Sequence, residues 1–344
     1  MATMKIAELT RQLAGSNVQP LYLVTGTERY LLNQIRAQFR AIIPEDQAQM
    51  NVGSYDMVQT PVAVALDDAM AMPFFGEHRL VIIDEPYFLT GEKSKSKVDH
   101  DLDALLKFIE HPEPTTILVF FAPYEKLDNR KKLVKTLKKV AVNVDASPLS
   151  ERDARQFVEQ QVDHDGYKFG PGALDTLIQH TGADLSLMMA ALTKLELFAV
   201  QDHVMTTAAV TGLVAQSLDD NVFDLVNAVL GRNVKRAVGL YHDLLATGEE
   251  PLRINAVLVS QFRLLLQVKV LASRGLSQGS LAGQLKVHPY RVKLALQSDR
   301  HFSQRDLSRA FLGLINIETQ LKQTQDDPEL LFNLFMLQFT NQAA

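Results

Sequence analysis

Two spacings of apolar residues divide the chain. Up to about residue 145, short unbroken runs of Val, Ile, Leu and Phe alternate with segments of helical period; from Ser150 onward almost every segment is helical. "LYLVT" (Leu21 to Thr25), "RLVIID" (Arg79 to Asp84) and "TTILVFFA" (Thr115 to Ala122) show no alternation of apolar with polar. That pattern predicts strands buried on both faces, as in a parallel sheet covered by helices. "VAVNVDAS" supplies a final strand. Amphipathic helices are predicted for the N-terminal "MATMKIAELTRQLAG" and from about Glu28 to Ile42. Another starts at Thr60-Pro61, a capping residue followed by proline at the first helical position. "DLDALLKFIE" sets Leu102, Leu105, Leu106 and Ile109 on one stripe, after a charged loop of small residues, "GEKSKSKVDH", that reads as mobile. A lysine-rich helix runs from Asp128 to Lys139. The pattern is that of an α/β domain with crossover helices.

Beyond it, helices are predicted from Ser150 to Asp163, Gly172 to Thr181 and Asp184 to Phe198, a small bundle ending near "VQDHVMT". From Leu218 the chain reads as further helices broken at Gly231-Arg232-Asn233, Gly248, Gly275 and Asp326-Asp327-Pro328. The expected division is an α/β domain over 1–147, a small three-helix domain over 148–213 and an all-α domain over 214–344.

Composition narrows the chemistry. With 344 residues and 47% hydrophobic content, each domain has enough apolar surface for a core of its own. A net charge of −5 excludes a protein that coats nucleic acid with its whole surface, so any such contact needs a local basic patch. The chain has no cysteine, which removes disulfides, thiolate metal sites and thiol nucleophiles. The histidines are scattered without ligand spacing, so no metal site is expected. Glu8 and Arg11 interrupt the N-terminal apolar pattern, which argues against a signal peptide. No apolar run is expected to approach the roughly 18 residues a spanning helix needs; a soluble, cytoplasmic protein is expected.

"LYLVTGTERYLLNQ" begins as a phosphate-binding loop does, with strand, glycine turn and helix. Aligned on Gly26, however, it reads G-T-E-R-Y-L-L-N, which puts Leu31 and Leu32 where the motif needs glycine and lysine. Glu28 adds negative charge, and Arg29 is a cation that would substitute for the lysine as a phosphate contact. Downstream, "LVIIDEP" copies the apolar strand ending in Asp84-Glu85 that holds Mg²⁺ and polarises water in nucleotide hydrolases. Without the lysine the pair has no nucleotide to act on, and neither a catalytic residue nor a cofactor is expected.

"DDAMAMPFFGEHRL" is the most informative connector. Pro73 ends the preceding helix at or before Met72, the next strand begins near Leu80, and Phe74 and Phe75 fall between, with Gly76 allowing a sharp turn. The two rings either cap the edge of the sheet or stand out as an apolar plug for a pocket on a partner. "YEKLDNRKKLVKTLKK" carries Lys126, Arg130, Lys131, Lys132, Lys135, Lys138 and Lys139 around a core-facing Leu133, Val134 and Leu137. It is a solvated face or a phosphate-contacting one. "SLAGQLKVHPYRVKLAL" (Ser280 to Leu296) has the packing positions of a helix-turn-helix, although Pro289-Tyr290 opens the second helix where base-reading side chains belong.

Together with "GADLSLMMAALTKLELF" and "FSQRDLSRAFLGLINIETQLKQ", these segments in this order resemble the delta subunit family of bacterial DNA polymerase III, along nearly the whole chain. The resemblance implies an AAA+-like module with a degenerate P-loop, then a small helical lid and an all-α collar. It implies a clamp-loader subunit without catalysis of its own, inside a DNA-directed DNA polymerase (nucleotidyltransferase) holoenzyme. The partners implied are the sliding clamp (beta subunit), the ATP-hydrolysing clamp-loader subunits and delta-prime in a hetero-oligomeric ring, and primed DNA, with no membrane. The family's hydrophobic pair at this helix-to-strand connection enters the clamp's pocket, and it falls on Phe74 and Phe75, with Met72 beside them. The competing readings are an AAA+ ATPase with an unconventional nucleotide site and a helix-turn-helix DNA-binding regulator.

Overall fold

The computed structural model describes residues 3–15, 18–91, 98–215, 218–299 and 302–341, with two compact units, Met1–Pro148 and Leu149–Ala344. Most of the charged loop expected to be mobile, residues 92–97, lies outside the described residues.

In the first unit the elements follow as α1 (Ile6–Ala14), β1 (Leu21–Thr25), α2 (Arg29–Arg40), α3 (Ala48–Asn51), β2 (Val52–Asp56), α4 (Val62–Met70), β3 (Arg79–Asp84), α5 (Leu102–Glu110), β4 (Thr116–Ala122), α6 (Lys132–Val140) and β5 (Val142–Asp145). The five strands are all parallel and lie in the order β2-β3-β4-β1-β5. Leu23 of β1 lies level with Phe120 of β4 on one side and Asn143 of β5 on the other. β4 is buried along its whole length and β1 and β3 are buried except at Thr25, Arg79 and Asp84, because helices cover both faces, which is why their sequences do not alternate.

Strand β2 was not predicted. "VGSYD" holds two large apolar residues among Gly53, Ser54 and Asp56, and as an edge strand it is only partly buried, so it carries no continuous run. Two helix starts also move. Pro61 is the N-cap of α4 with extended backbone, not its first helical residue, and Thr60 provides no cap. The Val62 N–H instead donates to His100 Nδ1 at 3.1 Å, while His100 Nε2 lies 3.0 Å from the Tyr87 hydroxyl. Burial lowers the His100 pKa, in keeping with a neutral ring that accepts at Nδ1. The lysine-rich helix starts at Lys132 and not at Asp128, because the Asp128 carboxylate turns back on the Arg130 N–H and holds the chain in a turn.

The second unit begins with α7 (Glu151–His164), β6 (Lys168–Phe169), α8 (Ala173–Thr181), α9 (Leu185–Phe198), β7 (Val204–Met205) and α10 (Thr207–Leu213). Ser150 and Asp184 cap α7 and α9 through their side chains. The fourth helix, α10, was not anticipated, being only two turns long, and β6 and β7 pair over two residues each, too short for any periodicity. Then come α11 (Leu218–Leu230), α12 (Val234–Ala246), α13 (Pro251–Ala272), α14 (Gln278–Leu285), α15 (Pro289–Asp299), α16 (Gln304–Gln323) and α17 (Pro328–Asn341), which share one core.

Helix α13 qualifies the membrane expectation. By length and mean hydropathy it is apolar enough to cross a bilayer, although Arg253, Arg263 and Lys269 interrupt it. It carries buried polar groups, and Asn255 Nδ2 donates to the Leu314 carbonyl of α16 at 3.1 Å. A helix enclosed by its own bundle is apolar on several faces, which accounts for its composition.

Candidate functional site

The phosphate-loop position is closed by the chain itself. Gly26 has φ +123°, and a Cβ there would stand 2.1 Å from the Ala146 carbonyl carbon and 2.2 Å from the Ser147 nitrogen. The backbone after β5 crosses directly over the glycine turn, held by Ala146 N–H to Thr25 O (2.7 Å) and Glu28 N–H to Ala146 O (2.9 Å). The N-terminus of α2, where a phosphate would sit, is capped by the buried Glu28 carboxylate, which accepts from the Tyr30 N–H. Leu31 is buried in the core and Leu32 lines the neighbouring cleft.

That cleft, of about 620 Å³, is lined by Arg29, Arg36, Asp84, Glu85 and Phe121 among others. Sequence reasoning overlooked Arg36. It donates to both carboxylate oxygens of Asp84, one at 3.0 Å, and its guanidinium lies 4.2 Å over the Phe121 ring. The two residues are 48 positions apart; the only available signal was an arginine on an amphipathic helix following the glycine turn. Glu85 takes a left-handed φ of 49° and accepts from the Tyr124 hydroxyl at 2.8 Å. Both acidic groups of the hydrolase-like pair are therefore engaged by side chains of this chain. Among the described residues, no three His, Asp or Glu side chains converge as metal ligands would.

The connector between α4 and β3 is built differently. Met72 is 85% exposed, Phe74 53% and Phe75 87%. The two rings pack edge to face, with centroids 4.6 Å apart. Met70 and Met50 are exposed as well and extend the apolar content of this region; neither was singled out from sequence. Beneath the tip, Arg79 pairs with Asp68 of α4 and reaches toward the Met72 carbonyl at 3.4 Å, while the Thr116 hydroxyl donates to the Ala69 carbonyl at 2.7 Å. Burial first, and the bond to Asp68 second, raise the Tyr55 pKa at the same junction.

On the lysine-rich helix, Lys132, Lys135 and Lys139 are exposed at spacings of three and four and form one stripe opposite Leu133, Val134 and Leu137. Arg130, Lys131 and Lys138 have partners: Arg130 binds Asp128, Lys131 Nζ donates to the Phe88 carbonyl at 2.8 Å, and Lys138 Nζ to Asn129 Oδ1 at 2.9 Å; Lys126 is exposed ahead of the helix. The Arg130 bonds hold the Asp128 carboxyl down to about 2. The helix-turn-helix segment exists as α14 and α15 joined at a left-handed Lys286. Its second helix is occupied, however: Val292 and Ala295 are buried, Lys293 pairs with Glu151 of α7, and Tyr290 lines a cavity shared with Glu151 and Arg155.

A parallel sheet of this order with a degenerate phosphate loop, followed by a helical region, defines an AAA+-like chain. Residues 22–147 match the family model "DNA polymerase III, delta subunit", and residues 219–339 match "DNA polymerase III delta subunit, C-terminal domain". The DNA polymerase III subunit delta of Bacillus subtilis is 37% identical over 334 residues, which is 97% of this chain and 96% of that one. The probable DNA polymerase III subunit delta of Aquifex aeolicus is 23% identical over 318 residues, covering 90% and 89%. Among solved structures, the B. subtilis DNA clamp loader delta protein superimposes with a TM-score of 0.76 over 96% of this chain and 98% of that one, at 37% identity. The chain belongs to the DNA polymerase III delta subunit family.

Proposed function

We propose that this chain is the subunit that grips the sliding clamp (beta subunit) through Met72, Phe74 and Phe75 and favours the open ring during its loading onto primed DNA. The observation that carries the reading is the connector tip: two adjacent phenylalanines and a methionine stand in solvent on an anchored loop between α4 and β3. Large apolar side chains exposed together in this way mark an interaction surface. A plug that binds the open ring more tightly than the closed one shifts the ring toward opening by that difference in affinity, and no covalent step is needed. The Arg36–Asp84 pair and the closed glycine turn support a chain that leaves ATP hydrolysis to other subunits. In this reading residues 1–147 bind the clamp, 148–213 form a lid, and 214–344 form the collar that assembles with delta-prime and the ATP-hydrolysing subunits in the cytoplasm.

Calorimetric titration of the intact chain with the replicative sliding clamp tests the reading. Saturable binding is expected, and the absence of heat and of co-elution at micromolar concentrations sinks it. The lysine stripe is proposed to track the phosphates of primed DNA in the assembled loader. Lys132→Gln with Lys135→Gln and Lys139→Gln is expected to weaken DNA binding by the loader and to reduce the slope of log K against log salt by about 0.9 for each phosphate no longer neutralised. An unchanged slope would assign the stripe to solvation alone.

A further inference from the structure

The exposed tip has a buried anchor. Asn51 is the last residue of α3, immediately before the edge strand β2, and its side chain is 0% exposed. Both polar atoms of its amide bond the backbone of one tip residue: Nδ2 donates to the Phe74 carbonyl at 2.8 Å, and Oδ1 accepts from the Phe74 N–H at 2.6 Å. A single side chain thus does for Phe74 what a neighbouring strand does for a strand residue, closing donor and acceptor together. Phe75 follows with φ +53°, a left-handed conformation that bulky residues rarely adopt and that persists only where the surroundings impose it. Gly76 completes the constraint, since a Cβ there would come within 2.5 Å of Gln47 Oε1 and 3.2 Å of Asn51 Nδ2. With residue 74 pinned and residue 76 seated on the Asn51 amide, Phe75 is turned outward into solvent.

We infer that Asn51 is the positioning residue of the clamp-binding tip: it holds Phe74 and Phe75 in the presented conformation before any partner arrives. The inference rests on the clamp-binding reading for its functional meaning, and on geometry alone for the ordering of the tip. A preorganised loop binds more tightly because the ordering cost is already met. Asparagine suits the task because it offers a donor and an acceptor at fixed spacing. An ionised aspartate offers acceptors only and would face the Phe74 carbonyl, whereas a protonated aspartic acid restores one donor and one acceptor on nearly the same shape.

The test uses the full chain with Asn51→Ala and Asn51→Asp, each checked for an unchanged circular dichroism spectrum. Hydrogen exchange read by NMR at the Phe74 amide decides the ordering without the clamp. Protection is expected in the natural chain and is expected to fall about tenfold or more in Asn51→Ala, a loss on the scale of a removed hydrogen bond. Equal exchange in the two chains overturns the inference. Clamp affinity by calorimetry is expected to fall about tenfold or more in Asn51→Ala, since flexibility in a binding loop weakens association even when every interface side chain is kept. Asn51→Asp carries the readout that a general packing defect would not give. Its affinity is expected to recover as pH falls from 8 to 5.5, relative to the natural chain measured in parallel, because burial raises the aspartate pKa and protonation rebuilds the donor. Natural binding with both variants at full affinity overturns the inference and leaves the clamp reading intact. If the natural chain fails to bind the clamp, that reading falls, and the exchange measurement alone decides whether Asn51 orders the tip.

Discussion

Phe74→Ala combined with Phe75→Ala is expected to reduce sliding-clamp affinity by a factor of about a hundred while leaving the fold unchanged. Fully burying an exposed phenylalanine side chain contributes about 1.5–3 kcal/mol, so two rings exposed to this degree supply about 2–4 kcal/mol on entering a partner's pocket, about a hundredfold at mid-range since each 1.4 kcal/mol is tenfold in affinity. The rings do little for their own domain. Phe75, at 87% exposure, buries little, and Phe74, at 53%, leaves about half of its surface in solvent; their mutual edge-to-face contact is worth about 0.5–1.5 kcal/mol. Calorimetry with the clamp, and thermal unfolding of the variant alone, separate the two effects. A double variant that binds within about threefold of the natural chain (under 1 kcal/mol) would remove the tip from the interface. One that unfolds would show that the rings belong to the core.

The largest effect on stability is expected at Gly26. In a working phosphate loop, glycine lets the backbone approach a bound anion, and its replacement would be felt chiefly by the ligand. Here the space beside Gly26 is filled by the chain's own Ala146 and Ser147 backbone, and φ is +123°. Gly26→Ala therefore drives a methyl carbon into backbone that cannot rotate aside, in a conformation closed to alanine. Relief requires parting β5 from the glycine turn, breaking the bonds from Ala146 N–H to Thr25 O and from Glu28 N–H to Ala146 O. Destabilisation of about 3–5 kcal/mol is expected, lowering the unfolding midpoint by about 10 °C or more. Differential scanning calorimetry checks it. A midpoint within about 2 °C of the natural chain, under 1 kcal/mol for a domain of this size, would mean that the turn retains freedom, as an unfilled ligand loop does.

How far the sequence could be read depended on burial. β1, β3 and β4 were legible because a strand covered on both faces must be apolar throughout, and the three runs say so directly. β2 was not, because an edge strand needs only part of its surface covered and "VGSYD" satisfies that with Val52 and Tyr55. The tip was legible as a connector because Pro73 stops the helix before it. Whether its rings faced in or out was not, since both placements satisfy the same local rules. The left-handed Phe75 and the amide of Asn51, which comes from the end of a different helix, decide it. The acidic pair at 84 and 85 looked fit for magnesium in one dimension. In three, Arg36 and Tyr124 occupy its oxygens.

By itself the sequence determined the α/β module, the helical region behind it, the lost lysine of the phosphate loop and a pair of phenylalanines on a short connector. Each follows from local periodicity, proline and glycine placement, or the absence of a required side chain. Only the tertiary structure decided that the glycine turn is sealed by the strand end beside it, that Asp84 already has a cation, and that the phenylalanines stand in water on a buried asparagine. Those outcomes depend on residues tens of positions apart meeting at one point, and no pattern confined to neighbours along the chain encodes such a meeting.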